Sequence, residues 1–512
     1  MSRQDAERRQ EWAIVGAILS VGLVCRLILA FARVDLVWPD EQFQTLEPAG
    51  KIVFGHAFYS WEWLKGFRTW LLPLFFVPPL AVAKALGIES GLSLLHLSRA
   101  YIAVLDSMTW ALFYITLRRL ELGALARILI LAFVTLAPSS LLWGVTTLQD
   151  HVAMMLLILA FAWTTQNGVS ISQLRLPVLG GFLLGIPGWY KLQSGFFAAG
   201  FVLTQIFLAL RAHDERPLIL RKTAQVLFGG LLALLCIGIS DWITWGKFAE
   251  SITNQITKGE SISRFYGVSP WTDGIAKVLE LVDPIFWFTF ALSATGLLFE
   301  RNRPRLSSPW IASAGMGLLF FLVFHFLIPH KEVRFFLPML PFFLLFWGIT
   351  WDTPLRKLEQ SLQAKARRLP ELFLRLSGFF TAAVLIGIYA GWGLTTALGR
   401  PLYLTSVDSA ELEDQISQMK DSIIDSGQVC ITLAGHNWSW TRGALIVGAP
   451  VRYEEIRPEE FVSKTIPPEC HVALVSRDHS QSFQSSYSDF SFIMKGKNRF
   501  DLWARAPQVK KE

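Results

Sequence analysis

Long apolar stretches recur along the chain, separated by short polar connections. They run over 12–32, 69–86, 97–117, 128–147, 152–165, 176–190, 194–210, 224–240, 279–299, 309–328, 336–351 and 373–398. Several reach the roughly 20 residues that carry a helix across about 30 Å of hydrocarbon. The pattern predicts a polytopic α-helical membrane protein of about eleven spans. The run at 69–86 contains Pro73, Pro78 and Pro79 and is expected to be re-entrant or broken, which is tolerated where protein buries the freed backbone groups. The first run follows Arg3, Arg8 and Arg9, carries Arg26 and has no small-residue cleavage site before Arg33, so it reads as a retained span.

From about residue 399 the pattern changes. A helix-like stretch at 409–425 is followed by short β-rich runs, Val429 to Leu433, Ala444 to Val447, His471 to Val475 and Phe500 to Trp503. The expected organisation is a transmembrane module over 1–398, with an outer loop at 33–68, and a small extracytoplasmic α/β domain over 399–512.

Composition agrees with the pattern. The 512 residues are 52% hydrophobic and 17% charged, with mean hydropathy +0.41, which no single soluble core can hide. Lys and Arg outnumber Asp and Glu by 47 to 40, but the excess lies between apolar runs, so membrane orientation explains it better than nucleic acid. Basic connections at 1–11, 118–127, 211–222, 301–305 and 353–375 are placed inside. By alternation 33–68, the turns near 148–151 and 191, 241–278, 329–335 and everything beyond 398 fall outside. Of the four cysteines, Cys25 and Cys236 lie in apolar runs; Cys430 and Cys470 lie in the polar tail, where a bridge or two free thiols both fit. No metal-ligand spacing is present.

Candidate chemistry gathers in three outer connections. In the first, Asp40 and Glu41 follow the first span directly, and a carboxylate beside a membrane invites a functional reading unless it is simply solvated. Gln44 and Glu47 share a helical face with Asp40, while Phe43, Leu46 and Ile52 supply an apolar side suited to lying along the interface. Trp61, Trp63 and Trp70 read as an aromatic belt. In the second, His330, Lys331, Glu332 and Arg334 crowd between two apolar runs; Lys331 and Arg334 could hold a phosphate, although snorkelling interfacial cations look similar. In the third, Arg264, Tyr266 and Trp271 combine a cation, a hydroxyl and an aromatic face, and Lys191 adds a further outer cation.

These segments resemble glycosyltransferase family 22 of the GT-C superfamily, the lipid-phosphate-mannose mannosyltransferases of N-glycan and GPI-anchor assembly. Residues 38–44 (WPDEQFQ), 46–48 (LEP), 60–63 (SWEW) and 67–69 (FRT) are similar to the family's first luminal loop. The sequence HKEVRF at 330–335 resembles its signature, RFYG with PW at 264–271 its aromatic segment, and GHNW at 435–438 a luminal Cys-His segment. The chain departs from the family at 147–151 (TLQDH) and at Lys191, which usually is an Arg.

The resemblance implies an inverting, metal-independent transfer of a mannosyl or other hexosyl group from a polyprenyl- or dolichyl-phosphate donor to a lipid-linked glycan or glycolipid, with no cofactor and no nucleic-acid partner. An inverting transfer needs one base, here Asp40 with Glu41 orienting it or sharing its load. His330, Lys331, Arg334, Arg264 and Lys191 would neutralise the departing phosphate, and Gln44, Glu47, Tyr266 and Trp271 would contact substrate. No Asp-x-Asp pair suggests a metal-held nucleotide sugar. A lipid or solute transporter is the alternative that many spans and intramembrane charges also fit, but neither repeats nor paired broken helices are found. A structural subunit with a decayed pocket is a third, opposed by the intact 330–335 motif. The expected location is a bacterial inner membrane with the site facing the periplasm, or the endoplasmic-reticulum membrane with the site facing the lumen.

Overall fold

The computed structural model describes residues 3–33, 36, 38–88, 90–165, 175–211, 215–294, 308–366, 371–399, 416, 429–434, 451–461, 463–495 and 500–505. Over the described residues, each apolar run forms helix. Helix α1 spans Arg3–Ala32, and a π-helical turn, Glu41–Leu46, leads into α2 (Glu47–Phe54), which Gly55 ends in the left-handed region at φ 85°. After the single turn α3 (Trp61–Leu64), the proline-rich run forms a 3₁₀ turn and a short helix α4 (Val77–Ala85). It is not among the helices of crossing length, in keeping with the broken segment expected there.

Further along come α5 (Gly91–Arg119), α6 (Ala124–Leu136), α7 (Pro138–Trp143) and α8 (Gln149–Thr164). The run at 128–147 divides at Ala137, whose extended backbone is what the following proline imposes. Then follow α9 (Arg175–Tyr190), α10 (Leu192–Arg211), α11 (Arg216–Trp245), α12 (Glu250–Phe265), α13 (Trp271–Leu281) and α14 (Pro284–Ala294). The last helices of the bundle are α15 (Pro309–Leu327), α16 (Leu340–Ala366) and α17 (Glu371–Gly399), with a 3₁₀ segment at Val333–Met339 before α16.

The chain is an integral membrane protein. Among the described residues, seven helical stretches are long and apolar enough to cross a membrane, and three shorter apolar helices accompany them. Full-length crossings alone therefore fall short of the roughly eleven expected. Small residues set the closest helix approach. A Cβ on Gly181 of α9 would meet Val226 O of α11 at 2.0 Å, and one on Gly229 would meet Val178 O at 2.0 Å. One buried ionic cluster pins the bundle: Arg26 Nε lies 2.9 Å from Asp106, which also lies 2.9 Å from His151 Nε2, and Arg26 donates to Thr135 O and Val134 O.

The tail contains a five-stranded sheet of β1 (Val429–Ala434), β2 (Val451–Ile456), β3 (Cys470–Ser476), β4 (Phe490–Lys495) and β5 (Phe500–Arg505), in the order β2-β1-β3-β5-β4. Strands β1, β2 and β3 are parallel; β5 runs antiparallel to β3 and β4. One face packs Val429, Ile431, Leu433, Val472 and Leu474; the other carries Ala473, Val475 and Trp503 against Phe483 of a short helix, Ser480–Ser486. Cys430 and Cys470 form a disulfide between neighbouring strands. The expected strand at Ala444–Val447, the GHNW segment at 435–438 and, apart from Ile416, the stretch 409–425 lie outside the described residues.

Candidate active site

The connections assigned to the outer face converge on one cavity of about 1120 Å³. Asp40, Gln44, Lys191, Arg264, Tyr266, His330 and Arg334 all line it, although they come from four separate stretches of chain. None of the described residues from the basic, inward connections does.

Asp40 stands just before the π-helical turn and is ion-paired with Arg334 Nη1. The same guanidinium donates from Nε to Glu332 at 2.6 Å and lies over the rings of Trp38 and Phe335. Among the described residues Nη2 has no hydrogen-bond partner, so the fork is fixed on two carboxylates with one nitrogen left over. His330 Nε2 lies 2.8 Å from the other Glu332 oxygen. Burial works against the Glu332 carboxylate, yet the Arg334 charge and the bonds from His330 and Arg334 outweigh it and bring its pKa to about 2.

A second polar group lines the same cavity. Gln44 Nε2 donates to Glu62 at 2.8 Å, Gln149 Nε2 donates to Gln44 at 2.6 Å, and Arg68 joins Glu62 to Gln149. Burial pushes the Glu62 carboxyl above its ordinary range, against the pull of Arg68 and with Asp40 adding to the rise. Trp61 Nε1 donates to Tyr266 OH at 3.0 Å, placing two aromatic faces beside these groups. Lys191 is buried, ion-paired with Asp150 and 4.8 Å from the centre of the Phe335 ring. Lys191 and the segment 147–151, which the sequence reading singles out separately, are thus joined through Asp150.

Four residues expected in the site are not among its lining. Glu41 is fully buried; its carboxylate accepts the Thr147 N–H at 3.1 Å and lies 3.5 Å from Arg99, so it fixes the loop beneath Asp40 rather than facing substrate. Glu47, also fully buried, accepts from Gln42 at 2.9 Å and from the Phe58 N–H at 2.7 Å. Lys331 turns its ammonium onto Ile328 O at 2.7 Å and Ser269 O at 3.1 Å, tying down its own loop. Trp271 begins α13 and is 60% exposed. The first loop does not lie along the interface either: residues 41–50 are all buried. Nor are its tryptophans a belt, since Trp61 lines the cavity and Trp63, 1% exposed, donates to Phe43 O.

Glu62, Arg68 and Gln149 escaped the reading of individual residues, and Trp61 is named there only as part of an aromatic belt. Their signal lay in the quoted segments SWEW, FRT and TLQDH, whose polar members sit in otherwise apolar surroundings. Among the described residues no group of three or more His, Cys, Asp and Glu is arranged to hold a metal ion.

The fold and this arrangement define a polytopic membrane protein of the GT-C type with a cavity lined by the connections between its helices. The Alg9-like mannosyltransferase family matches residues 17–436, and the chain belongs to that family. It is 24% identical over 387 residues to GPI mannosyltransferase 3 of Trypanosoma brucei brucei, covering 64% of this chain and 63% of the relative. It is also 24% identical to human GPI alpha-1,2-mannosyltransferase 3, covering 69% and 62%. The matches to these curated relatives thus span less than two thirds of their length. Its fold is similar to that of ArnT from Cupriavidus metallidurans bound to undecaprenyl phosphate, with TM-score 0.63 and 13% identity over 96% of this chain and 98% of that one. The transporter alternative finds no support in these comparisons.

Proposed function

We propose that the protein transfers a mannosyl residue, with inversion, from a polyprenyl- or dolichyl-phosphate donor to a lipid-linked glycan or glycolipid. The observation that carries this is Arg334, held between Asp40 and Glu332 in a cavity whose other side is apolar. Phe196 of α10 and Phe324 and Leu327 of α15 form that side, and both helices are apolar enough to cross a membrane. A lipid tail can therefore lie against the helices while its phosphate reaches the cations.

In this reading Arg334 and Lys191, with His330 and Arg264 nearer the mouth, neutralise the phosphate as the sugar leaves it, and the free Arg334 donor is available to the phosphate oxygen. Lys331 is withdrawn from that group. Asp40 takes the proton of the attacking hydroxyl, and its pairing with Arg334 sets base and leaving group at a fixed spacing. Gln44, Glu62, Arg68 and Gln149, with Trp61 and Tyr266, form a surface of planar polar groups and aromatic faces suited to sugar hydroxyls and ring faces.

Residues 1–398 act as the catalytic membrane module and 399–512 as a domain outside it. Cys430–Cys470 suits an oxidising, non-cytoplasmic compartment. The eukaryotic relatives favour a site facing the lumen of the endoplasmic reticulum over the periplasm; both lie on the same side of the membrane. The test is to incubate the purified protein with polyprenyl-phosphate mannose, polyprenyl-phosphate glucose and mannosyl glycolipids, and to identify products by mass spectrometry. A product one hexose heavier, formed from the mannose donor, is expected; intact donor and acceptor would refute the proposal.

A further inference from the structure

Among the described residues, one member of the cavity lining comes from the tail domain: Glu455, on strand β2 of its sheet. Its placement follows from register. Val451, Tyr453 and Glu455 alternate onto one face of β2 and pair with Val429, Ile431 and Leu433 of β1. Those β1 side chains belong to the sheet face into which Phe58 of the first outer loop packs. Phe58 meets Tyr453 at 5.1 Å and Phe43, a cavity residue, at 5.6 Å. Its backbone N–H is held by the buried carboxylate of Glu47. The chain of contacts from Glu47 through Phe58 to Tyr453 thus fixes the edge strand over the cavity, and two residues further on it delivers Glu455 to the lining.

Charges on an edge strand commonly serve only to prevent pairing with other chains. Arg452 and Glu454, on the opposite face of β2, suit that purpose and pair with each other. Glu455 instead lies on the face docked to the membrane module and remains exposed at the mouth of the cavity. A carboxylate there repels a lipid phosphate, but it can accept two O–H bonds from neighbouring hydroxyls of a neutral sugar.

We infer that Glu455 binds the glycan of the acceptor, so that the tail domain sets acceptor affinity while the membrane module binds the donor. The inference rests on the proposed transferase function. It is tested with the full chain in lipid nanodiscs, dolichyl-phosphate mannose as donor, and synthetic dialkylglycerols carrying one or two α-mannoses as acceptors. Glu455→Gln keeps the backbone carbonyl that accepts from Lys464. It is expected to raise the acceptor KM about tenfold, the scale of a lost charge-assisted hydrogen bond. Donor KM and kcat stay within about twofold of wild type, and Glu455→Asp recovers most of the acceptor affinity. An unchanged acceptor KM, or donor and acceptor KM rising together with a lowered melting temperature, would overturn the inference while leaving the transferase reading intact. No transfer by the wild type to either acceptor, or to the glycolipids of the earlier test, would overturn both.

Discussion

Arg334 and Lys331 sit three residues apart in one motif, and sequence alone gives them the same task; the structure separates them. In Arg334→Ala the guanidinium, whose side chain is 8% exposed, disappears from between Asp40 and Glu332. Removing one partner of a buried ion pair costs roughly 3–5 kcal/mol, because the carboxylates left behind stay desolvated. Loss of a fixed transition-state donor lowers kcat by about 10²–10³. In Lys331→Ala the loss is of two bonds to backbone carbonyls, each worth about 1.5–3 kcal/mol for a charged donor. Stability falls, but the donor site is not touched. The assay is initial-rate mannosyl transfer against donor concentration, alongside thermal unfolding read by tryptophan fluorescence. Arg334→Ala should lose transfer at every donor concentration; Lys331→Ala should melt lower yet keep its donor KM within about twofold. The reverse, a raised donor KM in Lys331→Ala and transfer at the wild-type rate by Arg334→Ala, would refute this assignment of the phosphate site.

Further outcomes follow from the same geometry. Glu332 has a folded pKa of about 2 against an ordinary 4.5, so its contribution is fully present above pH 4.5 and is lost as pH falls through 4.5 toward 2. That contribution is about 3 kcal/mol, and Glu332→Gln should flatten this part of the stability profile; an unchanged profile would contradict the pairing. Glu62 has the opposite sign: its raised pKa makes the folded state hold the proton, and the associated stability is lost as pH rises through the folded value. Glu62→Gln should therefore lose less stability than wild type as pH rises above the ordinary carboxyl range, read by thermal unfolding. Lys191→Ala strands the buried Asp150 carboxylate at a cost of roughly 3–5 kcal/mol. The double variant Lys191→Met with Asp150→Asn should melt higher than Lys191→Ala; strict additivity of the two single substitutions would show that they do not interact.

What the sequence made legible tracks what apolar periodicity can encode. Runs of apolar residues located the helices, and prolines at 73, 78 and 79 marked the broken run at 69–86, whereas the division of 128–147 before Pro138 went unread. In the tail, the inner strands β1, β3 and β5 announced themselves by apolar content. The strands missed, β2 and β4, are the two edges of the sheet, where charged and polar residues such as Arg452, Glu454 and Lys495 hide the pattern. Around the cavity, the sequence pointed to the connections that line it but not to the direction of each side chain. Glu41 and Asp40 are adjacent, yet one is sealed against Arg99 and Thr147 and the other lines the cavity. Pairings between distant segments, Asp150 with Lys191 or Phe58 with Tyr453, leave no mark in local spacing, and Glu455 reaches the site only through the docking of the sheet.

The central claim is that Asp40 is the base of a transfer from a lipid phosphate. The most direct measurement is the rate of mannosyl transfer from polyprenyl-phosphate mannose by Asp40→Asn, purified and shown to be folded by its melting curve. Asparagine keeps the size of the side chain and removes its capacity to take a proton, so kcat should fall by about 10²–10⁴ with donor binding retained. Transfer at the wild-type rate by folded Asp40→Asn would contradict the account.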